Sequence, residues 1–270
     1  MSSSICPPIS GYTNVDASEH ASRYIRRLDA VGASEFWQSI RQAALELSEG
    51  DHALDVGCGT GSEVLAMAER VGRRGRAIGV DLSAAMVAEA RARASAAGSH
   101  AEYLQASALR LPFPDGSFDA CRAERILQHL DAPEAALAEL TRTARTGARV
   151  VIVEPDYTTL RITGADPAVT ARLIEIRCAH FRSADVGRRV VRMLRDLGAS
   201  DLRVAPAASS TDRFDGQSEA LRQKYLLPAL EARAITPSEA DRWLKELAGA
   251  AEVGGYRHSV VVYRVSGRAA

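Results

Sequence analysis

Leu54-Asp55-Val56-Gly57-Cys58-Gly59-Thr60-Gly61 decides the fold. An apolar run, His52–Val56, leads into it and an amphipathic stretch, Ser62–Arg70, leads out, so the segment reads as strand, glycine turn and helix. Closely spaced glycines let a chain turn tightly, expose bare amides at a helix N-terminus and bring that helix close to the sheet. The third glycine of the dinucleotide pattern G-x-G-x-x-G should fall at position 62, where Ser62 stands. Asp55 closes the strand beside the turn. A carboxylate there suits a cationic ligand better than a pyrophosphate.

The same rhythm repeats outward. Arg76–Val80, Ala101–Gln105, Phe118–Arg122 and Arg149–Glu154 read as further strands. Ser83 caps a helix that runs to Gly98. Asp131 and Glu134 are expected to form a capping box for a helix with Ala136, Leu137, Leu140 and Ala144 on one face. Apolar strands alternating with amphipathic helices imply an α/β fold with a mostly parallel, doubly wound sheet covered on both faces. Upstream, residues 17–48 carry apolar side chains at helical spacing, so residues 1–48 are expected to form an N-terminal helical lid on a domain spanning 49–270. After Glu154 the rhythm breaks: Pro155 is expected to stop the strand, and residues of about 157–250 to form a mainly helical cap insertion. Leu202–Ala205 is a strand within it, Pro206–Thr211 a candidate flexible loop, and Ser259–Val265 a closing valine-rich strand.

Composition narrows the partners. The 270 residues are 46% hydrophobic, and 34 Lys+Arg balance 34 Asp+Glu, which disfavours nucleic acid and membrane surfaces as partners. Two of the 34 basic residues, Lys224 and Lys245, are lysines, a skew better matched to a GC-rich coding bias than to a binding patch. Cys6, Cys58, Cys121 and Cys178 are scattered, with neither CxxC spacing nor a His/Cys cluster, so reduced thiols and no metal are expected. No apolar run is long enough to span a bilayer, and no secretory leader stands at the N-terminus, so the expectation is a cytoplasmic protein. A small-molecule acceptor is the expected partner, and a homodimer is left open.

Twenty residues beyond Gly61 lies Asp81, in Gly79-Val80-Asp81-Leu82-Ser83. An acid ending the second strand is placed to accept from ribose hydroxyls, with Leu82 offering an apolar face to a base. Together with Leu111-Pro112-Phe113-Pro114-Asp115-Gly116-Ser117-Phe118-Asp119, these motifs make the chain resemble the class I S-adenosylmethionine-dependent methyltransferases. The likeness is to their small-molecule branch, which includes the ubiquinone/menaquinone type, and it is good over about residues 50–155. It implies a Rossmann-like seven-stranded sheet whose last strand is antiparallel, S-adenosylmethionine as cofactor, S-adenosylhomocysteine as product, and no metal. It also implies that Asp55 and the amides around Gly57, Gly59 and Gly61 hold the methionine moiety, with Asp81 on the ribose and Leu82 on the adenine. Ser107 stands where the family often has an acid facing the adenine amino group; Ala108 beside it and Ala123 at the end of the fourth strand join the cofactor set. Thr146-Gly147-Ala148 replaces the usual Pro-Gly-Gly.

The implied chemistry is an S_N2 transfer to an O or C atom of a small organic acceptor, quinone-like, isoprenoid or a specialised metabolite, in which alignment and exclusion of water dominate. His129, after the fourth strand, is the candidate general base. Glu154 and Asp156 are expected at the rim of the cleft, and with Tyr157 and His180 are candidates for the acceptor site; Tyr12 and Tyr24 could close over the cofactor. Arg177, His180, Arg182, Arg188 and Arg189 form either an anion-binding cluster or a solvated helix face, and Leu173, Ile174, Ile176 and Phe181 either a pocket lining or core. An Asn/Asp-Pro-Pro-aromatic motif, suited to an amide or base nitrogen, is missing after the fourth strand, where Asp119-Ala120-Cys121-Arg122 stands. Two other readings remain at this level. The fold could bind S-adenosylmethionine while the cap catalyses a cyclisation or rearrangement. A nicotinamide oxidoreductase would need a glycine where Ser62 stands.

Overall fold

The runs read as strands join one seven-stranded sheet, ordered β3-β2-β1-β4-β5-β7-β6. A computed structural model describes residues 25, 29, 35–41, 45–214 and 221–270 of the chain. Tyr12, Tyr24, Cys6 and most of the expected N-terminal lid lie outside the described residues. The strands are β1 (His52–Val56), β2 (Arg76–Asp81), β3 (Glu102–Gln105), β4 (Phe118–Glu124), β5 (Ala144–Thr163), β6 (Ser200–Thr211) and β7 (Arg257–Arg268). The helices are α1 (Glu35–Arg41), α2 (Ser62–Val71), α3 (Ala84–Ala96), α4 (Pro133–Thr143), α5 (Pro167–Ala179), α6 (Val186–Asp196), α7 (Leu227–Glu231) and α8 (Pro237–Glu252). β1 pairs in parallel with β2 and β4, and β7 runs antiparallel between β5 and β6.

The apolar run Val150–Val153 shows why such strands lack alternation. Val150 and Ile152 enter a core shared with α4 and α6, while Val151 and Val153 enter a second core shared with α1, α2 and α3. Both faces are buried, so both parities are apolar. Ser83 caps α3 as its sequence suggests, its hydroxyl accepting from the Met86 amide at 3.2 Å.

Four local expectations fail. Pro155 does not stop β5, which runs on to Thr163; β4 has its last pairing opposite Val153, and Pro155 faces Val262 of β7, so no ladder needs its missing N–H on the β4 side. Pro206–Thr211 is not a loop but the second half of β6, paired residue by residue with β7. Asp131 and Glu134 form no capping box: α4 has Ala132 at its N-cap without a side-chain bond and Pro133 in its first turn, and the two acids pair with Arg182 and Arg189 instead. A capping box does form at α8, between Thr236 and Glu239. Finally, residues 157–250 are not one helical excursion. α6 and β6 return to the sheet, with Val190 and Leu194 in its core, whereas α5, α8 and the end of β5 enclose a separate core around Leu160, Leu173, Trp243 and Tyr256.

Candidate active site

The site is built at the carboxyl ends of β1, β2 and β4, where open α/β sheets receive ligands. Leaving β1, Gly57, Gly59 and Gly61 have φ of +76°, +53° and +82°, conformations that strain any side chain with a Cβ. Crowding adds to this at Gly61, where a Cβ would stand 2.6 Å from the Tyr103 ring, and at Gly57, where it would meet Ile126 Cγ2 at 2.1 Å. The Gly57 and Cys58 amides donate to the Val80 carbonyl at 2.7 and 3.0 Å, tying the turn to β2, and Tyr103 donates to the Gly61 carbonyl at 3.0 Å. α2 then begins at Ser62 without a side-chain cap. Its first amides are ready partners for an anionic group.

Asp81 is 2% exposed and its two oxygens accept from the Gly59 and Ser83 amides, each at 2.9 Å. One carboxylate therefore fixes both the glycine turn and the start of α3. Leu82, beside it, is 56% exposed, so it presents an open apolar face next to the carboxylate. Ser107 and Ala108 lie in the loop after β3, where the Ser107 hydroxyl accepts from Leu109 N at 3.2 Å. Ala123 is 1% exposed with its side chain in the sheet core, leaving only its backbone for the cleft.

Beneath the turn runs an ionic network that the sequence reading missed. Arg122 on β4 lies opposite Asp55 on β1 and is 4% exposed. Its guanidinium stands 3.2 Å from Asp55, 2.7 Å from Glu124 and 3.7 Å from Glu63, and Arg125 bonds Glu124 at 3.2 Å. Burial works against the Arg122 charge, but Asp55, Glu124 and Glu63 outweigh it and hold the guanidinium protonated. The missed signal was the pair of charges Arg122 and Glu124 at the cleft end of a strand whose third charge, Asp119, sits at its start. A central parallel strand carries a charge only where a counter-charge meets it. Carboxylates outnumber guanidinium groups here, and Asp81 adds another. Burial, followed by the charges of Asp55 and Asp81, pushes the Cys58 thiol far up, so it is no nucleophile.

Arg125 has a φ of +57° and lies 4.7 Å over the Trp37 ring of α1, so the chain leaving β4 is held from both sides. The turn that follows, Leu127–His129, carries the candidate base. Glu154 is not at a solvated rim. It is fully buried, and one oxygen accepts from the Ile126 and Leu127 amides at 2.7 Å each while the other has no partner. Burial raises its pKa to about 8, against the pull of those two amides and of Arg125. Asp156, also fully buried, accepts from Thr158 and faces Arg188 at 3.5 Å. Both lie inside because β5 continues past Pro155 and α6 packs over it, with Gly187 against the Glu154 and Pro155 backbone. His129 receives the Gln128 side-chain amide at 3.2 Å, and its ring lies 5.8 Å from Phe181. Phe181 stacks on Tyr157 at 3.9 Å. His180, at the end of α5, turns its Nδ1 to the Ile176 carbonyl. Among the described residues no group of three or more His, Cys, Asp or Glu side chains could hold a metal ion, and no helix is long and apolar enough to cross a membrane.

Comparison with known proteins places this geometry. Residues 54–152 match the family model of the methyltransferase domain. An uncharacterized 37.1 kDa protein in a transposon of Streptomyces fradiae is 32% identical over 91% of this chain and 70% of its own length. The demethylmenaquinone methyltransferase of Thermus thermophilus is 38% identical over 51% of this chain and 63% of its own. The chain thus spans about half to two thirds of the length of the curated quinone methyltransferases it matches. Among solved structures, phosphoethanolamine N-methyltransferase 2 of Haemonchus contortus, in complex with phosphomonomethylethanolamine and S-adenosylhomocysteine, superposes with a TM-score of 0.61 at 16% identity, covering 96% of this chain and 60% of that one. At that identity the likeness is one of fold. Strand order, glycine turn and the family match agree, and over residues 54–152 the chain carries the methyltransferase domain of the class I S-adenosylmethionine-dependent methyltransferases.

Proposed function

We propose that this chain binds S-adenosylmethionine across the carboxyl ends of β1, β2 and β4 and directs its methyl group to an O or C atom of a small organic acceptor. The observation that carries the reading is the paired arrangement of Asp81 and the glycine turn: one buried carboxylate bonded to the Gly59 amide, next to an exposed Leu82. An acid, a row of amides and an apolar lip are complementary to ribose, methionine and adenine in turn. The acid-rich network of Asp55, Glu63 and Glu124 around Arg122, with Asp81 at the glycine turn, suits a ligand bearing both a sulfonium and an ammonium. In this reading Asp81 accepts from the ribose hydroxyls, and Asp55 with the amides near Gly57, Gly59 and Gly61 holds the methionine end. Ser107 and Ala108 edge the adenine, and Ala123 contributes its backbone.

When bound, S-adenosylmethionine supplies an electrophilic methyl whose leaving group is a neutral thioether, so no oxyanion hole is needed. The work left to the protein is alignment and dryness. Glu154 positions the 127–129 turn through the Ile126 and Leu127 amides, and Ile126 in turn packs against Gly57, linking the acceptor side to the cofactor side. His129 takes a proton from acceptors that must lose one. Tyr157 and His180 border the acceptor, and Asp156 acts from behind them by fixing the Thr158 turn. The quinone-methyltransferase relatives favour a flat or isoprenoid acceptor.

Isothermal titration with S-adenosylmethionine and S-adenosylhomocysteine tests the cofactor assignment. Saturable binding of both is expected; neither binding would refute the reading. Methyl-labelled S-adenosylmethionine offered with a panel of hydroquinones and phenols tests the transfer.

A further inference from the structure

The fold sorts the basic cluster of residues 177–189. Arg182 pairs with Asp131 at 2.7 Å, Arg188 faces Asp156 at 3.5 Å, and Arg189 pairs with Glu134 at 2.6 Å and Asp185 at 3.2 Å. Arg177 behaves differently. Among the described residues its side chain makes no ion pair and no hydrogen bond, and its Nε is buried without a partner. Two aromatic rings hold it instead, Phe181 at 4.5 Å and Tyr157 at 5.4 Å from the guanidinium carbon. Cation–π contact steadies a guanidinium but leaves its N–H donors unused.

Among the described residues, Tyr225 and His258, whose titration feels Arg177, offer it no counter-charge. The Tyr225 hydroxyl stands 2.8 Å from His258 Nε2. Burial, then the charges of Lys224 and Arg177, bring the His258 pKa down to about 4, so the ring is neutral at pH 7. Burial raises the Tyr225 phenol, against the pull of Arg177, so it keeps its proton. The surrounding wall is apolar, with Leu160, Leu173 and Leu226. Among the described residues Arg177 is therefore a half-buried cation with no counter-charge, held in an aromatic setting where an anion would find unused N–H donors. It adjoins the chemistry, because Phe181 is also the ring 5.8 Å from His129.

We propose that Arg177 anchors the methyl acceptor, and that the acceptor carries an anionic oxygen group, a carboxylate or a phosphate ester, on a flat apolar skeleton. This rests on the methyltransferase reading above. The guanidinium grips the anion, and the Tyr157–Phe181 pair borders the skeleton.

The test uses the full chain saturated with S-adenosylhomocysteine and four probes: 4-hydroxybenzoate and phenyl phosphate as anions, 4-hydroxybenzamide and anisole as their neutral counterparts. At least one anion should bind about tenfold or more tighter than its neutral counterpart, and which one does so identifies the group. Arg177→Met should erase that preference without changing S-adenosylhomocysteine affinity, and Arg177→Lys should keep part of it. Equal binding of anion and neutral probe by the wild type, or an undiminished preference in Arg177→Met, would overturn the proposal. Should Arg177→Met fail to fold, the wild-type comparison and Arg177→Lys decide. Failure of the wild type to bind S-adenosylhomocysteine would instead overturn the methyltransferase reading itself.

Discussion

Replacing Glu154 with glutamine should change how stability depends on pH. The carboxyl is fully buried, with its pKa raised from 4.5 to about 8 by burial. The folded state thus holds this proton more tightly than the unfolded chain. Between pH 4.5 and 8 the folded state binds more protons, so stability falls as pH rises through that window and levels off above it. Each tenfold in proton affinity is about 1.4 kcal/mol, so the loss between pH 5 and pH 7.5 is about 3 kcal/mol. For a chain of 270 residues with about 2.1 cal/mol/K of unfolding entropy per residue, that is about 5 °C in Tm. Glu154→Gln keeps an oxygen for the Ile126 and Leu127 amides but cannot ionise, so this part of the slope disappears. Calorimetric melts of both proteins from pH 5 to 7.5 should show the variant gaining about 5 °C on the wild type as pH rises, the difference cancelling every other titrating group. Parallel curves, with a constant offset, would mean that Glu154 is ionised at neutral pH and that burial does not govern it.

Asp81→Ala removes an acceptor for ribose and frees the Gly59 amide; S-adenosylhomocysteine affinity should fall by about 1–3 kcal/mol in titration calorimetry. His129→Ala should lower turnover of a hydroxyl acceptor while cofactor affinity stays within twofold of wild type; an unchanged rate would return His129 to a packing role. Arg122→Met strips the buried Asp55 of its guanidinium at 3.2 Å, costing about 3–5 kcal/mol, or about 5–9 °C in Tm, of which the added change Asp55→Asn should restore most. Gly61→Ala meets both a φ of +82° and the Tyr103 ring at 2.6 Å, so it should lower Tm and cofactor affinity together, unlike Gly249→Ala in α8, which has neither a positive φ nor a close neighbour.

The strand–turn–helix units were legible in the sequence because their signals are local. A run such as Val150–Val153 is apolar at both parities only when both faces are covered, and Gly57, Gly59 and Gly61 announce a turn with positive φ whatever lies around it. Ser83 as a cap and Asp81 at the end of a strand are local in the same sense. What tertiary structure alone decided is where side chains meet across long separations. Arg122 looks like a surface charge until β4 sets it opposite Asp55, 67 positions away. Glu154 and Asp156 look solvated because Pro155 stands between them, yet β7 extends β5 past the proline and α6 covers it, burying both. Arg177 cannot be told from Arg182, Arg188 and Arg189 by spacing. Packing gives three of them carboxylates and gives Arg177 two aromatic rings. Local conformation is set by each residue and its neighbours, whereas burial and ionic pairing depend on which distant elements the fold brings beside them.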